Sequence, residues 1–271
     1  MGALPRSRAI WSGAADAEVA DMRGKFVTIE GGEGVGKSTQ VGLLVAALGR
    51  ARIPTRATRE PGGSSGGEAI RRLLLEGEGE RWDATSEALL LVAARCDHVS
   101  RLIEPTLAQG VWVVSDRFAD STLAYQGYGK GVGLDALTTL HRFALGAFAP
   151  DLTVILDLPV EVGLARAAAR SAADRFERLD HDFHERLRQG FRQIATDNAV
   201  RCVLIDALSD VQTIHSAVLA AVEHRLGVAL RAAPHPSPLP ACGEREGPAS
   251  RVGEGASGGN CPRGKEVCRG R

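Results

Sequence analysis

The 271-residue chain carries 33 basic and 33 acidic side chains for a net charge of zero, so its composition gives no footing for a nucleic-acid partner. No apolar run near its start is long enough for a signal peptide or a membrane span, so a soluble cytoplasmic protein with no membrane partner is expected. Three of the five cysteines (Cys242, Cys261, Cys268) lie in a polar C-terminal stretch, which argues against a disulfide framework in the remainder.

Residues 1–22 show no periodicity, and Met22 stands just before the first strand, where a natural start is expected. An apolar run from Phe26 to Ile29 then stops at G-G-E-G-V-G-K-S, and Val41, Leu44 and Leu48 follow at helical spacing. A G-x-x-x-x-G-K-[ST] turn between strand and helix is a nucleoside triphosphate cradle. Glycines let backbone N–H groups wrap a polyphosphate, and the helix adds its positive end. Gly31, Gly32, Glu33, Gly34, Val35, Gly36, Lys37, Ser38 and Thr39 are therefore expected to bind ATP. Lys37 would reach the β- and γ-phosphates and Ser38 would offer its hydroxyl to Mg²⁺.

A short strand ends at Arg59, where Pro61 stops it and Gly62 and Gly63 free the loop. A short helix is expected over Gly66–Glu76, then a long one over Ser86–Gln109 broken at Pro105. The continuous apolar run V-W-V-V-S-D-R reads as a strand buried on both faces. A loop and helix cover Phe118–Gly133, and a helix Leu134–Phe148. Leu152–Leu158 is the next buried strand, followed by a helix through Arg166 to Arg170. A charged loop over Asp174–Arg178, a helix over Asp182–Asn198, a strand over Arg201–Asp206 and a helix over Val211–Leu226 complete the series. Residues 228–271 are rich in Gly and Pro and poor in apolar side chains, the composition of a disordered tail.

The alternation predicts an α/β fold of P-loop NTPase type: a doubly wound, parallel, five-stranded sheet flanked by helices, with a short lid segment. One such domain fits 23–227, between an extension (1–22) and a low-complexity tail (228–271). Ligands of such sheets lie beyond the carboxyl ends of the strands, here Gly31, Arg59, Asp116, Asp157 and Asp206. Arg59 and Arg117 could hold a phosphate bidentately, or pair with Glu60 and Asp116. Asp116 could hold Mg²⁺ directly or through water, with Asp157 a rival. Glu33 is an unusual charge for an anion-binding loop and needs a partner of its own.

A cradle alone names no reaction. A guanine-reading N-K-x-D is absent, since Asn198 and Asn260 are followed by Ala199 and Cys261. The stretch S-D-R-F-A-D-S-T-L-A-Y-Q (Ser115–Gln126) resembles the defining motif of thymidylate kinases. T-R-E-P-G-G at Thr58–Gly63, A-A-R at Ala93–Arg95 and D-R-F-E at Asp174–Glu177 follow in that family's order. The resemblance implies transfer of the γ-phosphoryl group of ATP to dTMP, with Mg²⁺, in a homodimer.

It further implies that Arg59 and Arg117 contact the dTMP phosphate, Glu33 the 3′-hydroxyl and Arg95 the thymine carbonyl. Thr122, Tyr125 and Gln126 would complete the dTMP site, the Tyr125 ring excluding a 2′-hydroxyl; the alternative is a core tyrosine. Lys37, Asp116, Arg117, Arg170 and Arg175 are the implied catalytic set. The last two are lid arginines near Arg166, which is alternatively a solvated helix residue. The family's stacking ring is replaced by Leu91, so stacking falls to aliphatic contact or to Phe118 nearby. His181 and His184 with Asp180 and Asp182 could suggest a metal, but read better as a charged helix start.

Overall fold

The computed structural model describes residues 23–76, 81–169 and 175–230. Expectations about 1–22, about 231–271 and about Arg170 and Asp174 fall outside them.

The sheet is built around β1 (Phe26–Gly31), whose six residues are all buried. It lies between β3 (Trp112–Asp116) and β4 (Leu152–Asp157), with β2 (Thr55–Arg59) beyond β3 and β5 (Cys202–Asp206) beyond β4. All four pairings are parallel, in the order β2-β3-β1-β4-β5, as the uninterrupted apolar runs require. The edge strand β2 reads T-R-A-T-R and is partly exposed, a charged edge that discourages pairing with another sheet.

Helices cover both faces. Val27 and Ile29 of β1 face a core completed by α1 (Lys37–Arg50) and α9 (Val211–Leu226), including Leu44, Leu48, Val218 and Val222. Phe26, Thr28 and Glu30 point the other way by strand alternation. On that side α8 (His181–Asp197) lays Phe183, Leu187 and Phe191 over Ile155. Beside it Phe26, Phe118 and Phe148 pack edge-on or tilted within 6.0 Å of one another.

The remaining helices are α2 (Ser65–Leu75), α3 (Ala84–His98), α4 (Glu104–Ala108), α5 (Ala119–Thr122), α6 (Leu134–Leu145) and α7 (Val160–Ala168). Pro105 does not break the long helix as expected. A π-helical segment, Val99–Ile103, links α3 to α4, and the proline sits in α4's first turn, where its missing N–H costs nothing. A second π-helical segment, Leu123–Gly129, continues α5. Gly227 (φ 68°) ends α9, but the folded chain continues: Leu230 is buried, and its N–H donates to Glu223 at 2.8 Å.

The phosphate loop is pressed onto α7 by absent side chains. A Cβ on Gly34 (φ 65°) would lie 1.9 Å from the Gly163 carbonyl oxygen, and one on Gly163 would lie 2.5 Å from that of Glu33.

Candidate active site

The carboxyl ends of β1, β2 and β3 open into a cleft of about 250 Å³, lined by the phosphate loop, Arg59, Asp116, Arg117 and the segment Ser121–Gln126. Lys37 Nζ donates to the carbonyls of Gly31 (3.2 Å) and Gly32 (2.5 Å) within the loop. Burial, then the charge of Arg117, pushes its ammonium down to about 8, which still leaves it mostly charged at neutral pH. Val35 turns its side chain into the core, and Thr39 is exposed on α1. Ser38 Oγ donates to Asp116 Oδ2 at 2.5 Å.

Two converging oxygen ligands beside an anion cradle fit Mg²⁺, a hard cation that binds through one or two carboxylates and substrate phosphates. The rival Asp157 is instead claimed by Arg188 (2.8 and 3.0 Å) and Arg192 (3.7 Å).

Arg117 adopts a left-handed conformation (φ 71°), which costs a non-glycine residue about 1–2 kcal/mol and turns the chain sharply after β3. Its guanidinium donates to the Gly31 carbonyl (3.0 Å), Ser121 (3.2 Å), Glu33 (3.1 Å) and the Tyr125 hydroxyl (2.8 Å). Burial disfavours its charge, but Tyr125, Glu33 and Asp116 more than offset this and raise its pKa. Glu33 thus has the partner its position demanded. Burial opposes its ionisation, yet Arg117 and Lys37 hold it down at about 2, and Tyr125 donates a short hydrogen bond to it.

Of the two pairings expected as alternatives, neither forms: Arg117 meets Glu33, and Arg59 meets Glu68 at 3.0 and 3.2 Å. Arg59 keeps over half its side chain exposed at the cleft rim. Arg95 is not in the cleft wall. Its head is buried behind Thr122, donating to Glu60 (2.7 Å), the Phe118 carbonyl (3.2 Å) and Thr122 Oγ1 (2.9 Å). Thr122, Tyr125 and Gln126 do line the cleft, as does Leu91. Phe118 does not stand in for a stacking ring, because it is fully buried among other rings. Phe176 reaches the cleft instead and meets the Tyr125 ring edge-on at 5.6 Å.

The lid arginines divide. Arg166 donates to the Ala207 carbonyl at 3.1 Å, a link to the end of β5, and Arg170 lies outside the described residues. Arg175 is buried and bonded to Glu87, which also accepts from Lys130 (2.8 Å) and Gln126 (3.1 Å). The histidines and acids at the start of α8 do not gather as one set. Asp180 caps the helix by accepting from Phe183 N–H, His184 is buried, and His181 pairs with Glu161 beside Glu185.

Sequence reading missed the buried Glu30 and Glu87, named the buried Glu60 only as a partner for Arg59, and missed Arg71, which lines the cleft and donates to the Pro61 carbonyl at 2.9 Å. Glu60 precedes a cis proline peptide, and its other oxygen lies 3.1 Å from His98 Nδ1. The missed acids carried no signal of their own, since a lone glutamate is ordinarily solvated.

An anion cradle backed by Lys37 shares one cleft with two arginines, Arg59 and Arg117, so fold and site together define a P-loop nucleotide phosphotransferase. The family model described as thymidylate kinase matches residues 29–218. A thymidylate kinase of Rhodopseudomonas palustris is 55% identical over 76% of this chain and 91% of its own length. One from Bradyrhizobium diazoefficiens is 52% identical over 75% and 91%. The crystal structure of thymidylate kinase from Ehrlichia chaffeensis superposes with a TM-score of 0.60 at 34% identity, covering 74% of this chain and 99% of that one. The chain belongs to the thymidylate kinase family and is a kinase.

Proposed function

We propose that the chain transfers the γ-phosphoryl group of Mg·ATP to dTMP, giving ADP and dTDP, with the donor on the phosphate loop and the acceptor phosphate at Arg117 and Arg59. The observation that carries this reading is the convergence of Lys37, Asp116 and Arg117 on one cleft at the strand ends. Phosphoryl transfer of this kind needs positioning and charge neutralisation more than covalent chemistry. Arg117, locked to the loop through Gly31 and Glu33, would set the acceptor phosphate in line with the cradle. Ser38 and Asp116 would hold Mg²⁺, which when bound supplies charge neutralisation between the phosphates.

The acceptor's base would lie against Thr122, Gln126 and Leu91. Gln126 Oε1 is buried without a hydrogen-bond partner while its amide nitrogen is held by Glu87, which leaves an acceptor for a base N–H. Tyr125 would sit under the sugar. Its hydroxyl, tied to Arg117 and Glu33, favours this site role over that of an ordinary core tyrosine. Arg175 would brace the lid against Glu87, and Arg170 would be its catalytic arginine.

The test is ADP release with Mg·ATP and dTMP, dUMP, dCMP, AMP, GMP and UMP side by side. Strong preference for dTMP supports the reading; another favoured acceptor moves the assignment to a different nucleotide.

A homodimer in the cytoplasm is part of the same proposal. Among the described residues no helix is long and apolar enough to cross a membrane. The adjoining helices α3 and α6 expose Leu89, Leu134 and Phe143 (89% exposed), apolar surface that a second copy would cover. Light scattering of Phe143→Glu against the parent chain checks this; a monomeric parent would overturn it.

A further inference from the structure

A carboxyl group not used in the chemistry above lies directly behind Arg117. Glu30, near the end of β1, has no exposed surface. Its Oε1 accepts the Phe118 N–H at 2.7 Å, and its Oε2 accepts the Ser121 hydroxyl at 2.6 Å. Ser121 Oγ in turn accepts from Arg117 Nη1 at 3.2 Å. One carboxyl group therefore grips both the backbone just past the left-handed Arg117 and the hydroxyl that touches its guanidinium. We propose that Glu30 is a positioning residue for Arg117, holding the turn after β3 closed and, through Ser121, aiming the guanidinium at the acceptor phosphate. This rests on the reading of Arg117 as the phosphate clamp.

The proton on Glu30 gives the device a second consequence. Burial raises its pKa to about 8, reinforced by Asp120, while Ser121, Arg117 and the Phe118 N–H pull it back. The charged and titratable groups facing it are Asp120 on α5, Arg117 after β3, Lys37 at the start of α1, and Arg201 and Cys202 at the start of β5. At neutral pH the uncharged acid prevails and leaves the positive field of Arg117 intact. In that uncharged form donor and acceptor exchange: the acid O–H donates to Ser121 Oγ, whose second lone pair still accepts from Arg117. A dianionic phosphate arriving at Arg117 disfavours the carboxylate further, so near pH 8 acceptor binding draws a proton from the buffer onto Glu30.

Glu30→Gln keeps an acceptor for Phe118 and a donor for Ser121 but cannot titrate. Calorimetry of dTMP binding at about pH 8, in two buffers of different ionisation enthalpy, is expected to show proton uptake in the parent chain and clearly less in Glu30→Gln. The KM for dTMP should rise several-fold across that pH in the parent and stay flat in Glu30→Gln. Glu30→Ala, with the grip removed, should raise it about 10-fold or more with the KM for ATP within about twofold. No uptake by the parent, which needs no variant, overturns the proposal. Equal uptake in Glu30→Gln assigns the proton to Lys37 and overturns it too. Arg117→Ala is run in parallel: unchanged dTMP affinity sinks the clamp reading itself, whereas weakened affinity there beside a parent-like Glu30→Ala sinks only the role of Glu30.

Discussion

Arg117 Nη2 and Glu33 Oε1 face each other at 3.1 Å across the rim of the phosphate loop, and the Tyr125 hydroxyl bonds to both. The acid of the loop is thereby turned away from the cradle and made part of the arginine's mounting. Arg117→Ala is expected to lower kcat/KM by about 100-fold or more, while ATP binding, which rests on the loop's own N–H groups, stays within about threefold. Steady-state kinetics together with nucleotide titration separate the two effects, and near-normal turnover would remove Arg117 from the clamp.

Glu33 also makes an acid-labile contribution to stability. Its pKa is about 2 in the folded chain against 4.5 when unperturbed, so the stabilisation is fully present above 4.5 and is lost as pH falls through 2. The linkage amounts to about 3 kcal/mol at most. Denaturant midpoints between about pH 6 and pH 3 should fall more steeply for the parent than for Glu33→Gln, which starts lower and changes less. Parallel curves would contradict it.

Leu91 lines the cleft where a flat base would lie, and it offers an aliphatic surface rather than a ring. Leu91→Phe is expected to lower the KM for dTMP by about 2- to 10-fold through stacking, with the ATP parameters unmoved. A higher KM would mean that Phe176, already at the cleft with Tyr125, leaves no space for a further ring.

Glu87 is buried, with Arg175, Lys130 and Gln126 all donating to it. Removing one partner of such a group leaves buried charge uncompensated. Glu87→Ala should therefore cost about 3–5 kcal/mol in equilibrium denaturation. A loss under about 1 kcal/mol would show that water already screens the cluster.

The five strands, the phosphate loop and the cleft residues Asp116 and Arg117 were legible because each belongs to a local pattern: an apolar run, a glycine turn, or a charge at a strand end; Tyr125 came only through the family resemblance. What fixes them was not legible. Glu30 reaches Ser121 across 91 positions, Arg95 reaches Glu60 across 35, and Arg175 reaches Glu87 across 88. No periodicity links such pairs. The resemblance of the D-R-F-E stretch implied a catalytic Arg175, whereas the buried acid that receives it lies on a distant helix. Pro105 misled for the opposite reason, since a local rule was overruled by a π-helical turn placed just before it.

Gly34 and Gly163 leave backbone against backbone with nothing between to yield. Packed side chains absorb a small displacement by changing rotamer, but two main chains in contact cannot. The phosphate loop is thereby seated directly on α7, which Arg166 ties to the end of β5. A methyl group added at either glycine would drive the two main chains apart and unseat the loop.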